Sequence, residues 1–199
     1  MLIRLFLPKP KKASNRMVSR REFFQQLWPV PAVPRSLAPD PGPGEALGVF
    51  PTFRPPGAVG EAEFVTRCTG CGLCADACTA GAIGPDYGGL AALDVNQTPC
   101  LACWDMPCIQ ACPEGALAPL AGIWQVRMGS ASVRAQSCWQ VTGEGDCGQT
   151  CLAACPLRHS ALKLYPGQAP DISRLVCIGC GLCVSACPSP GTIQVATIT

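Results

Sequence analysis

The chain is poor in the residues from which most catalytic sites are built. It has a single histidine, His159, no glycine-rich phosphate-binding loop, and no open-site cluster of histidine and carboxylate ligands. His159 lies four residues past a cysteine and reads as a surface residue, or one at the edge of a metal centre. Aromatic residues make up 6% of the 199 and charged residues 14%, against 21 glycines and 21 prolines. That balance describes a loop-rich molecule with a thin hydrocarbon core. Long apolar runs are missing too: the patch at residues 1–7 is broken by Arg4, and seven residues cannot cross a bilayer. No acid precedes Glu22, whereas Arg4, Lys9, Lys11, Lys12, Arg16, Arg20 and Arg21 supply seven of the fifteen basic residues. Together these absences leave substrate chemistry without its usual parts.

What is present is cysteine. Sixteen of them form four groups of four with none left over: Cys68/Cys71/Cys74/Cys78, Cys100/Cys103/Cys108/Cys112, Cys138/Cys147/Cys151/Cys155 and Cys177/Cys180/Cys183/Cys187. The first and last groups read C-x2-C-x2-C-x3-C, and the last three end in Cys-Pro, at Pro113, Pro156 and Pro188. This is the ligand spacing of bacterial [4Fe–4S] clusters, and it points to electron transfer. Two-residue gaps let a tight turn aim sulfurs inward. The three-residue gap sets the fourth cysteine one helical turn beyond the third, facing a neighbouring cluster. The proline then ends the helix. Gly70, Gly72, Gly179 and Gly181 carry no Cβ, so backbone N–H groups can approach a cluster's sulfides. All sixteen cysteines are therefore the expected ligands of four [4Fe–4S] clusters.

Zinc and disulfides use the same residue type. Zinc sites are usually two C-x2-C pairs separated by a longer loop, which is a different pattern. A disulfide scaffold suits a secreted chain, and closely spaced C-x2-C pairs make poor bridges. Cluster binding can substitute for the thin core, because metal-binding free energy is folding free energy. Sixteen thiolates and four doubly charged cores would change the formal +2 to about −6. An acidic body with a basic arm argues against nucleic acid as the main ligand.

Ser19-Arg20-Arg21-Glu22-Phe23-Phe24-Gln25 nearly matches a twin-arginine export pattern. Export needs an apolar stretch behind the arginines, and here Leu27 and Trp28 run straight into Pro29. The expected location is cytoplasmic, with peripheral contact on the inner membrane face as an option and no transmembrane segment. Ser19 and Glu22 can form a capping box opening a short helix, with Phe23, Phe24, Leu27 and Trp28 as an apolar docking face. Residues 29–56 hold nine prolines, an extended linker. The expected domains are an arm over 1–52 and a cluster domain over 53–199.

From residue 53 the chain repeats one unit four times: a cysteine turn, a short helix, a small-residue exit and a strand. Strand patterning falls at 89–95, at 124–128 with 132–134, at 161–165 and at 192–196. Two units make one two-cluster module, so the expected fold is α+β, loop-rich, with two bacterial ferredoxin-like modules and an extended N-terminal arm. Pairing regular groups one and four, and irregular groups two and three, nests one module inside the other. Cys187 would then complete the cluster of Cys68, Cys71 and Cys74. Tandem pairing, one with two and three with four, is the alternative.

Arg54-Pro55-Pro56-Gly57-Ala58, the run from Pro99 through Cys108, and Arg127-Met128-Gly129 resemble the NapF/NapG/MauM group of ferredoxin-type proteins. The resemblance covers about three-quarters of the chain and includes all four motifs. It implies four [4Fe–4S] clusters, a fold like the iron–sulfur subunits of molybdopterin oxidoreductases, and the nested pairing. It also implies a redox protein partner, either an oxidoreductase subunit such as that of a nitrate reductase system or a quinol-linked donor. Three departures stand out: the arginines lack the apolar stretch of NapG-like export signals, which resembles the NapF condition; three residues separate Cys147 from Cys151 where the group usually has two; and Thr79 replaces the proline after Cys78. The expected function is electron carriage, not catalysis. The alternative is an assembly factor that binds an apo-oxidoreductase and helps load its clusters.

Overall fold

The structure, a computed structural model, describes residues 53–198. The basic arm, the helix expected around Ser19, and the linker up to residue 52 lie outside the described residues. No helix among the described residues is long and apolar enough to cross a membrane.

The secondary structure is short throughout, as the glycine and proline content requires. Helix α1, Glu61–Arg67, carries Glu61 and Glu63 in its first turn and Arg67 in its last, the favourable arrangement for the helix dipole. It buries only Phe64, too little periodicity for the sequence to reveal it. Helices α2 (Leu73–Asp76), α3 (Pro107–Gln110), α5 (Thr150–Ala154) and α6 (Leu182–Ala186) each contain the third cysteine of a group. Helix α4, Trp139–Thr142, lies inside the long gap of group three.

Among the described residues, three antiparallel strand pairs accompany these helices. β1 (Ile83–Pro85) pairs with β2 (Ala91–Leu93), and β4 (Leu162–Lys163) pairs with β5 (Asp171–Ile172). β3 (Ser130–Val133) runs against β6 (Ile193–Ala196), with Ala131 opposite Val195. In the first half the counterpart of β3–β6 is a single bridge, Ala58 to Leu117, while Phe53 bridges to Leu93 beside β2. Each half thus repeats one plan: an outer pairing of its start with its end, and an inner hairpin.

Of the expected strands, those at 89–95, 161–165 and 192–196 are present in shortened form, and the one at 132–134 is present as Ser130–Val133. Residues 124–128 are not a strand. A 3-10 turn occupies Ile123–Gln125, because the Gln125 side chain accepts the Ala121 N–H at 2.6 Å and the Trp124 ring folds over Gly122. β1 and β5, two to three residues long, were not expected from the sequence.

The nested pairing is also not what the structure shows. Helix α2 packs on α3, and α5 packs on α6. Groups one and two therefore form one module, and groups three and four the other. Like spacing within a group reflects its own turn. Which groups pair is decided by which helices pack together.

Arg54 fastens the first module. Its guanidinium donates to Glu61 at 2.7 and 3.0 Å, to Asp86 at 2.8 Å and to the Ala91 carbonyl at 3.0 Å. It also lies 4.7 Å from the centre of the Phe64 ring, within cation–π range. One side chain thus ties the entering strand, α1 and the β1–β2 hairpin together. The Arg54 hydrogen bond holds Glu61 below its ordinary carboxylate value. Burial alone would push Asp86 up, but the Leu90 N–H and Arg54 outweigh it and hold Asp86 low.

Candidate functional site

Among the described residues, cysteines gather around cavities in three places. Cys78 joins Cys100, Cys103 and Cys108 around a cavity walled by Ile83, Leu93, Met106 and Val126. Cys155 joins Cys177, Cys180 and Cys183, with Leu162, Ile178 and Val195. Cys187 joins Cys138, Cys147 and Cys151, with Val133, Trp139 and Ile193. In every case three sulfurs come from one group and the fourth from its neighbour in the same module. The helical offset explains this. The fourth cysteine leaves its own turn on the far side of the helix and reaches the cavity beside the packed partner helix.

The backbone that aims these sulfurs bends the same way four times. The residue just before each cage helix has positive φ: Gly72 at 81°, Met106 at 43°, Gln149 at 54° and Gly181 at 80°. Group one and group four use glycine, which adopts this region freely. Groups two and three hold side-chain-bearing residues there. Gly70 and Gly179 have a second constraint: a Cβ at either would run into backbone, that of Gly89 or Gly129.

The electrostatics of the cages favour a cationic occupant. Burial pushes the thiols of Cys74, Cys100, Cys151 and Cys155 up. It pushes Cys108 up to about 11, and Cys180 and Cys183 up to about 12. Neighbouring cysteines add to the shift: Cys100 and Cys78 act on Cys108, and Cys180, Cys177, Cys155 and Cys151 act on Cys183. Clustered, partly buried thiolates are thus unfavourable by themselves, and a metal core supplies the positive charge that offsets them. Among the described residues, no three ligand-type side chains converge on a point as a single ion requires. The sulfurs surround cavities instead, which suits a cluster. The Ala82 N–H donates to Cys78 Sγ and the Ala131 N–H to Cys177 Sγ, both at 3.4 Å, the type of contact that tunes cluster potential.

His159, in the 3-10 turn Arg158–Ser160, is exposed. The role of Arg54 as a fastener was not read from the sequence, although its motif was noticed. The signal was a charged residue set against prolines at the start of the folded part.

Cages shared between paired short helices, filled by cysteine alone, define an iron–sulfur protein of the 4Fe-4S ferredoxin type. Residues 67–116 match the 4Fe-4S dicluster domain family, and residues 170–189 match the 4Fe-4S binding domain family. The dicluster match spans groups one and two together, in keeping with the tandem modules. The methylamine utilization ferredoxin-type protein MauM of Methylobacillus flagellatus is 36% identical over 150 residues, 68% of this chain and 63% of that protein. MauM of Methylophilus methylotrophus is 32% identical over 84% of this chain and 79% of its own length. The ferredoxin-type protein NapG of Escherichia coli is 29% identical over 90% and 83%. The chain belongs to this MauM/NapG family of ferredoxin-type proteins. No solved structure matches it.

Proposed function

We propose that the sixteen cysteines hold four [4Fe–4S] clusters in series and that the chain carries electrons between a redox donor and an oxidoreductase. Three cages have the ligand sets described above. The cysteines outside them, Cys68, Cys71, Cys74 and Cys112, form the fourth by the same rule: three from one group and one from its packed neighbour. When bound, the clusters supply one-electron chemistry at each cage. The protein's own contribution is to hold the sulfurs, wall the cages with apolar side chains against water, and place N–H donors on Cys78 and Cys177.

The single observation that carries this reading is the order of the cages. Cys100 donates its backbone N–H to the Cys180 carbonyl at 2.8 Å, so the second cage abuts the one built on group four. Within each module, packed helices join the other cages. The path therefore runs from the cage of Cys68 through those of Cys100 and Cys180 to that of Cys138. A terminal cage at each end gives a donor and an acceptor separate places to dock.

The partner we infer is an oxidoreductase of the molybdopterin kind, as the resemblance to NapF and NapG implies, or an amine-oxidising one, in view of relatives named for methylamine utilization. The chain itself is a carrier and not an enzyme. We place it in the cytoplasm or on the inner membrane face, since residues 25–29 provide no apolar run behind Arg20 and Arg21. We also assign residues 1–52 to a separate arm whose Ser19–Trp28 portion docks a partner. Anaerobic purification should yield about sixteen iron and sixteen acid-labile sulfide per chain. About four zinc per chain without sulfide would overturn the reading.

A further inference from the structure

The two modules share a continuous apolar core, and one polar side chain makes a two-point contact across their seam. Asn96 follows β2 in the first module. Its side-chain amide donates from Nδ2 to the Val195 carbonyl at 3.0 Å, and its Oδ1 accepts the Val195 N–H at 2.9 Å. Val195 belongs to β6 of the second module. A carboxamide presents one donor and one acceptor side by side, as a peptide group does. Asn96 therefore pairs with β6 as a strand residue would, across a separation of 99 positions in sequence.

That pairing adjoins one of the two inner cages. Val195 walls the cage of Cys177, Cys180 and Cys183. Asn96 is itself fixed by a turn in which its N–H donates to Asp94 Oδ1 at 3.1 Å and the Thr98 N–H donates to the Asp94 carbonyl at 2.9 Å. Two residues beyond that turn comes Cys100, whose N–H bonds to Cys180. On the other side of Asn96, buried Val95 faces Gly181, where any Cβ would run into the Val95 carbonyl. Residues 95–100 thus touch the second module at three successive points: Val95 on Gly181, Asn96 on Val195, and Cys100 on Cys180.

We propose that Asn96 is a positioning residue for electron transfer between the modules. By registering residues 95–100 on β6, it holds the Cys100–Cys180 hydrogen bond in place and sets the gap between the two inner cages. This rests on the reading that the cages hold clusters and conduct. The step involved is the passage of one electron, with one cage oxidised and its neighbour reduced. No bond forms or breaks and no proton moves, so the distance across the seam governs it. Asn96 touches no sulfur, and its effect on the cages is through Val195 and Cys100 alone.

The test uses the full-length, cluster-loaded protein, reduced and frozen, with pulsed EPR measuring spin–spin coupling between clusters. Wild type comes first. If it shows no coupling between clusters of different modules, the serial reading itself fails, whatever Asn96 does. Given that coupling, Asn96→Ala should keep its iron and sulfide content and its coupling within each module. The coupling across the seam should be lost or weakened. Asn96→Asp keeps the shape and the acceptor but cannot donate to Val195 O, and should show an intermediate loss. Wild-type coupling across the seam in both variants would overturn the proposal. So would failure of both to load clusters, because Asn96 would then be a folding residue and not a positioning one.

Discussion

Regular group four and the irregular groups, two and three, wall similar cages with different backbones, and regular group one repeats the turn of group four. Gly72 and Gly181 provide the left-handed residue before the helix in the regular pair. Met106 and Gln149 provide it in the irregular pair, and Ala102 has φ of 49° where Gly70 and Gly179 stand in the regular turns. Left-handed backbone at a residue with a Cβ costs about 1–2 kcal/mol. The irregular groups therefore carry strain that the regular ones avoid. Met106, buried in the wall of its cage, offsets part of it by packing. Each module contains one group of either kind, so cage formation does not depend on matching spacings.

The largest break in this comparison should come from the shared ligands. Cys78→Ala is expected to damage the cluster of irregular group two, to which Cys78 contributes, and to leave the other three of its own group's cysteines loaded. The loss should be about four of sixteen iron per chain, with EPR identifying the missing signal. Cys187→Ala should likewise remove the cluster of Cys138, Cys147 and Cys151. Loss of the Cys68 cluster instead would restore nested pairing.

Next comes Gly181→Ala. The new Cβ meets the Val95 carbonyl in a residue held at φ of 80°, so steric and backbone costs combine to about 3 kcal/mol or more. The rate of cluster loss in chelator at raised temperature should rise steeply. A wild-type rate would mean that the seam yields without cost.

Arg54→Ala should have a smaller effect, about 2 kcal/mol, since it leaves partly buried Asp86 without its cation and removes the bond to Ala91. The lesion should be confined to the first module: its two clusters bleach sooner on heating, while the second module's hold. Simultaneous bleaching of all four would show that the modules melt as one. Smallest is Ala102→Gly, which should relieve left-handed strain and slow cluster loss by the equivalent of about 1 kcal/mol. The same change has no counterpart in the regular groups, where glycine is already present.

Much of this was legible in the cysteine spacing. The short helix at each third cysteine and the outward turn of Cys78, Cys155 and Cys187 follow from local geometry, and local geometry is what spacing encodes. The pairing of modules was not legible, because α2–α3 and α5–α6 packing is a tertiary contact that the spacing within a group does not encode. Similar spacing in groups one and four pointed the wrong way for that reason. Arg54 was visible as a motif but silent as to role, since Glu61, Asp86 and Ala91 are brought to it only by the fold. Asn96 gave no sequence signal at all. A lone asparagine after a short strand becomes informative only when Val195 lies opposite.

The account stands most directly on the fourth cage, the one assigned by completing the pattern of the other three. An experimental structure of the anaerobically purified, cluster-loaded protein would measure which sulfurs hold the cluster of Cys68, Cys71 and Cys74. The account expects Cys112 as its fourth ligand. Cys187 in that position would contradict the tandem modules, and with them the serial path across the Cys100–Cys180 seam.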